Sequence, residues 1–190
     1  MTLFLSMPEF WSQNPEIAAT VQKARQPWTM TLKDASGKSQ GYRQSINLRP
    51  GLYVLIDDFT LQDDLLIEKG ERIDCSPRFC LEISFMLSAS NPKEGIPAHH
   101  NLLDAYWGDI VGGTFPWKAG DRILKLDIHF DQSVSNSLLG DQLETLPVSF
   151  TSLLQSSRPG QSDWCFRQLS ATTPAMQSAL HQMLHCPYQG

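Results

Sequence analysis

From Phe79 to Leu87 the chain alternates without a break. Phe79, Leu81, Ile83, Phe85 and Leu87 fall on one side, and Cys80, Glu82, Ser84 and Met86 on the other. A helix repeats its apolar positions every three or four residues, so a period of two this long describes a strand with one apolar face. Leu124, Leu126, Ile128 and Phe130 repeat the pattern opposite Lys125, Asp127 and His129, and that polar side reads as a solvated strand face. Weaker strand text surrounds these runs. Trp28, Met30 and Leu32 alternate with Thr29, Thr31 and Lys33 before a turn at Asp34–Gly37. Arg49-Pro50-Gly51 turns the chain into Leu52–Ile56, and Leu65 and Ile67 lead to Lys69-Gly70. Short strands separated by turn clusters, with no long helices between them, predict an antiparallel sandwich or barrel.

Helical text is confined to the two ends. Asn14 is placed to cap a first helix, with Pro15 and Glu16 in its first turn, Ile17, Val21 and Ala24 along one face, and Lys23 and Arg25 near its C-terminus. After Asp131 the pattern turns helical over Ser133–Leu139 and Pro147–Leu154, and a loop follows at Ser156–Asp163. The last segment carries its own boundaries. Thr173 suits the cap, Pro174 the first helical position and Pro187 the stop, while Met176, Ala179, Leu180, Met183 and Leu184 form one apolar stripe. Such a stripe needs a surface to dock on, either its own domain, a twin subunit or sequence beyond this chain.

Composition bounds the function classes. A net charge of −5 and a pI near 5.4 argue against a nucleic-acid surface, which needs clustered Lys and Arg. Cys75, Cys80, Cys165 and Cys186 make no paired zinc spacing, and reduced, mostly buried thiols are expected. No apolar run approaches the ~18 residues of a membrane span. Met1–Met7 lacks the basic start of a secretory signal, so a cytoplasmic location is expected.

Several blocks in order carry a resemblance: Gly41–Arg43, Leu48–Leu52, Asp57–Asp63, Ala119–Phe130, Thr173–Gln177 and Cys186–Gly190. Together they resemble the sensor half of AraC-type transcription regulators, in the subgroup similar to the pyochelin regulator. The resemblance implies a mainly β fold with flanking α-helices: a cupin-like antiparallel jelly-roll barrel followed by C-terminal helices. It divides the chain into an N-terminal helical segment (1–27), an effector-binding barrel (28–131) and a helical segment with a linker or dimerisation helix (132–190). DNA contact would belong only to helix-turn-helix units expected beyond this chain. The implied role is non-enzymatic sensing of a small molecule, such as a ferric siderophore, by a homodimer with no cofactor and no membrane contact. A cupin-fold metal-dependent enzyme and an effector-free dimerisation domain are the alternatives.

Residue chemistry sets out the candidates for a site. His99 and His100 are adjacent, so on a strand they point to opposite faces and cannot grip one ion. His181 and His185 stand four apart on the last helix, but no third ligand accompanies them. There is no Gly-x-Ser-x-Gly and no cysteine in a catalytic context, and Gly108–Gly113 lacks the framing of a phosphate loop, so neither a catalytic nor a metal site is expected. Aromatic residues remain. Tyr106, Trp107, Phe115 and Trp117, with Phe85 and with Arg122 for an anionic effector, are the candidate ligand-binding residues. Met176, Leu180, Met183 and Leu184 are the candidate dimerisation residues.

Overall fold

The computed structural model describes residues 2–15, 27–69, 78–90, 95–108, 113–155 and 165–186. Ten strands and four short α-helices are described. In chain order they are β1 (Thr2–Ser6), α1 (Met7–Gln13), β2 (Trp28–Thr31), β3 (Gln40–Arg49), β4 (Leu52–Thr60), β5 (Asp64–Lys69), β6 (Arg78–Ser88), β7 (His100–Gly108), β8 (Gly113–Trp117) and β9 (Arg122–Phe130). Then come α2 (Gln132–Leu139), a 3-10 turn (Gly140–Thr145), α3 (Val148–Gln155), β10 (Cys165–Ala171) and α4 (Pro174–Leu184). A seven-stranded antiparallel sheet runs β10-β7-β6-β9-β4-β3-β2, and a three-stranded sheet runs β1-β5-β8. The fold is mainly β with flanking helices, a sandwich of the jelly-roll kind.

The two strongly alternating segments, β6 and β9, lie side by side at the centre of the large sheet, with Ile83 opposite Ile128. Their shared apolar side is the outer face, covered by the C-terminal helices. At one end Phe79, Leu81 and Ala105 pack with Phe150 of α3, with Leu139, Leu146 and Phe166 around them. At the other end Val54, Ile56, Phe85 and Leu126 form a platform on which Leu180 of α4 sits, flanked by Met183 and Leu184. The inner face is covered over part of its length by the small sheet. There Met30, Phe59, Met86, Leu102 and Ile123 meet Leu3, Leu5, Leu65, Ile67 and Trp117 in one core. Each such side chain contributes about 1.5–3 kcal/mol when fully buried, so this contact holds the sandwich together.

One turn ties the sheet to the helices. Gly51, between β3 and β4, takes φ +80°, a left-handed conformation that glycine adopts without strain. Its carbonyl accepts from the Asp131 N–H, and the Asp131 carboxylate accepts from the Val134 N–H to cap α2. An added Cβ at Gly51 would run into that carboxylate.

Several local expectations need correction. The first residues are a strand: β1 adds parallel to β5, and Leu3 and Leu5 face the core. Asn14 also closes α1 by donating back to the Phe10 carbonyl; Pro15 is helical as expected, and the rest of the helix expected after it lies outside the described residues. Within the segment expected to be helical, β10 adds an edge strand to β7. The loop at 156–163, the Gly-rich residues 109–112 and Pro187 also lie outside the described residues.

Candidate functional site

Beyond the apolar core that it shares with the small sheet, the inner face carries charge. Reading across the strands, Arg43 of β3 is opposite Asp57 of β4, and Asp57 is opposite Lys125 of β9. Further along β9, Asp127 is opposite Ser84 of β6, and His129 is opposite Glu82 on one side and Tyr53 on the other. Cys80 of β6 then pairs with Tyr106 of β7. Period-two geometry puts all of these on the face that also bears Phe59, Met86 and Ile123. Along β9 the inner positions therefore change from apolar Ile123 to Lys125, Asp127 and His129.

These charges are buried in pairs. Arg43 donates from Nε and Nη2 to the two Asp57 oxygens at 2.6 and 2.7 Å. Lys125 Nζ donates to Asp127 Oδ2 at 2.9 Å, with both side chains 2% exposed. His129 stacks on Tyr53, ring centroids 4.4 Å apart and planes 9° apart, which fixes the imidazole orientation. Its Nδ1 lies 3.6 Å from Glu82 Oε2 and 3.9 Å from Cys80 Sγ, and Ser84 Oγ donates to Glu82 Oε1 at 2.9 Å. Burial pushes the Tyr106 phenol far above its usual range, and the neighbouring Cys80 and Glu82 add to that shift.

The expectation of a solvated face at Lys125, Asp127 and His129 is therefore overturned. They are 2%, 1% and 6% exposed. Alternation shows only that the two sides of a strand differ; it cannot tell water from a second layer of paired charge. Arg43 was hidden by the polar text of β3, and Glu82 by its place on the non-apolar side of β6.

The sequence-predicted ligand residues are dispersed. Tyr106 lies within the inner-face strip. Phe115 and Trp117 pack in the core between the sheets, where the Trp117 indole N–H is buried without an acceptor among the described residues. Phe85 is on the outer platform beneath α4. Trp107 is in register with Phe79. Arg122 is exposed at the start of β9 and paired with Asp58, Nη2 to Oδ1 at 2.8 Å. Among the dimerisation candidates, Leu180, Met183 and Leu184 pack on the chain's own sheet, and Met176 is exposed. Thr173 caps α4 by accepting from the Met176 N–H at 3.2 Å.

The histidine pairs are placed apart from the strip. His99 sits in a turn at φ 59°, while His100 opens β7 with Nδ1 2.9 Å from the Ala98 carbonyl oxygen. His181 and His185 stack on the exposed side of α4, ring centroids 4.1 Å apart, and His185 Nδ1 lies 2.8 Å from the His181 carbonyl oxygen. Donor atoms of Glu82, Asp127 and His129, in contrast, all lie within 4.8 Å of one another.

Residues 39–190 match the family described as the regulatory protein PchR N-terminal domain. The chain belongs to this family. No curated protein and no solved structure matches it significantly. The PchR N-terminal family match spans β3 to the end of the chain, so it includes the inner-face strip, the outer platform and α4. It identifies a regulatory domain. No helix among the described residues is long and apolar enough to cross a membrane.

Proposed function

We propose that the inner face of the large sheet is the effector-binding surface of a transcription regulator's sensor domain, and that α4 reads its state. One observation carries this: β4, β6 and β9 bear the buried charges on one side and the α4 platform on the other. Asp127 lies between Leu126 and Ile128, both of which pack in the core that holds Leu180. A ligand that rearranges Lys125, Asp127 or Glu82 thus acts one peptide bond away from the seat of the helix. Only a ligand that prefers one of two packings can shift α4, so the coupling equals that difference in affinity.

The buried pairs support a binding role. Paired charges in a dry interior add little stability over well-packed apolar residues, so a fold needing only stability would not require them here. They suit a polar ligand with both positive and negative groups. An iron–siderophore complex is the effector this reading favours, its shape and charge read by Arg43, Lys125, Glu82 and Tyr106, with Phe115 and Trp117 walling the apolar end. Homodimers would use the exposed side of α4 around Met176, since Leu180 is already engaged. DNA would be bound in the cytoplasm by helix-turn-helix units beyond residue 190, and no reaction is catalysed.

Calorimetric titration with a panel of ferric siderophores and their iron-free forms tests the reading. It predicts micromolar or tighter binding by a ferric form only, weakened at least about 10-fold in a folded Lys125→Met variant. Absence of heat from every ferric complex would detach the domain from siderophores. Equal binding by that variant would remove the inner face as the site.

A further inference from the structure

We propose that Glu82, Asp127 and His129, with Cys80 as a fourth donor, form a binding site for a bare divalent transition-metal ion. It rests on the inner face being a binding surface and adds a second kind of ligand to it. The argument begins with distance. Around an ion with bonds of about 2.0–2.3 Å, donor atoms lie roughly 3–4 Å apart. His129 Nδ1 and Glu82 Oε2 are already 3.6 Å apart, and His129 Nδ1 and Cys80 Sγ 3.9 Å. One donor atom each from Glu82, Asp127 and His129 lies within 4.8 Å of the others, so a contraction of about an ångström brings these three around one ion, and Cys80 joins them from the His129 side.

Orientation and charge are independent supports. Metal-binding imidazoles and carboxylates are commonly held in place by partners behind them. Here Tyr53 stacks on His129, Lys125 holds one Asp127 oxygen at 2.9 Å, and Ser84 holds Glu82 Oε1 at 2.9 Å. Glu82 Oε2 is the oxygen turned to His129. With Cys80 as thiolate, Glu82, Asp127 and Cys80 supply three negative charges and Lys125 one positive. A divalent ion brings that local sum to zero, which matters where water cannot screen it. A nitrogen, a sulfur and two oxygens select zinc, ferrous iron or cobalt over magnesium or calcium, which take oxygen donors. Four protein donors suit a bare ion and have no role for one already saturated by a chelator. Glu82 is 16% exposed and Cys80 half-buried, so these two are the most accessible of the four donors.

Chelator-stripped chain titrated with Co²⁺ alone reads the site directly. One ion per chain is expected, with visible d–d bands of a tetrahedral centre and an ultraviolet thiolate-to-cobalt band. Glu82→Gln, which keeps the shape of the side chain, and His129→Gln each weaken binding at least about 10-fold. Cys80→Ser removes the ultraviolet band, and His181→Ala/His185→Ala changes nothing. Circular dichroism identifies variants that fold. No cobalt uptake by folded chain, or uptake that survives Glu82→Gln and is lost with His181→Ala/His185→Ala, overturns the proposal. Binding of a ferric siderophore by a chain that takes no cobalt would leave the sensing surface standing without the metal site. Cobalt uptake without any effector binding would do the reverse.

Discussion

Replacing Asp57 by Asn leaves the Arg43 guanidinium buried beside a neutral partner. Arg43 is 3% exposed and Asp57 1%, and the pair is bidentate at 2.6 and 2.7 Å, so water cannot take the carboxylate's place. Removing one partner of a buried pair costs about 3–5 kcal/mol. For a chain of this size each kcal/mol lowers the melting temperature by about 2–4 °C, so Asp57→Asn should melt about 6–20 °C lower. With a urea slope of about 3 kcal/mol/M, the midpoint should fall by about 1–1.7 M with the slope unchanged. The double variant Arg43→Met/Asp57→Leu replaces both charges by apolar groups. It should return to within about 1 kcal/mol of the parent or exceed it, because neither charge then remains to be desolvated. Urea melts of the parent, Arg43→Met, Asp57→Leu and the double complete the cycle, with Asp57→Asn measured beside them. A cost below about 1 kcal/mol for Asp57→Asn, or a double variant as weak as that single one, would refute the view that this pair is dry and dispensable for stability.

Leu180→Ala should cost about 2–5 kcal/mol by opening a cavity on the outer platform, and native-state hydrogen exchange should show α4 loosening first. Parent-like protection of α4 would mean that the helix is held by something other than that contact. The Tyr106 phenol is raised above its unfolded value of 10.0, so unfolded chains release a proton there that folded chains keep. Its contribution is fully present below pH 10 and is lost above it, at up to about 1.4 kcal/mol per pH unit, and Tyr106→Phe should flatten that alkaline slope in urea melts. Gly51→Ala places a Cβ at φ +80° against the carboxylate that caps α2. Loss of that cap and the strained backbone should together cost about 1–3 kcal/mol by thermal melting; Gly51→Asn eases the backbone strain but brings the same Cβ and should lose the cap as well.

The outer face was legible in the sequence because its partners are greasy. Phe79, Leu81, Ile83 and Phe85 announce a buried strand side, and Thr173 with Pro174 announces the start of α4. Asp34 behaves as its turn context predicts, its carboxylate accepting from the Ser36, Lys38 and Ser39 backbone N–H groups, which hold it below its ordinary range. The inner face was not legible. Lys125 and Asp127 are two apart on one strand and read as surface; their neighbours, Asp57 and Met86 beside Lys125 and Leu55 and Ser84 beside Asp127, are set only by the sheet register. Arg43 and Asp57 meet only through the β3–β4 register, and Glu82 and His129 only through that of β6 and β9. Edge strand β10 lacked a signal because only one of its sides packs, around Phe166. Pairing across distant segments is the information that a single sequence displays least.

Hydrogen exchange across β9 and α4, measured with and without the ferric siderophore that binds most tightly, joins the two faces in one experiment. Coupling through the shared strands predicts altered protection in Leu126–His129 and in Pro174–Leu184 together, with Leu180→Ala keeping the first change and losing the second. Saturated binding that leaves Pro174–Leu184 unchanged would contradict it.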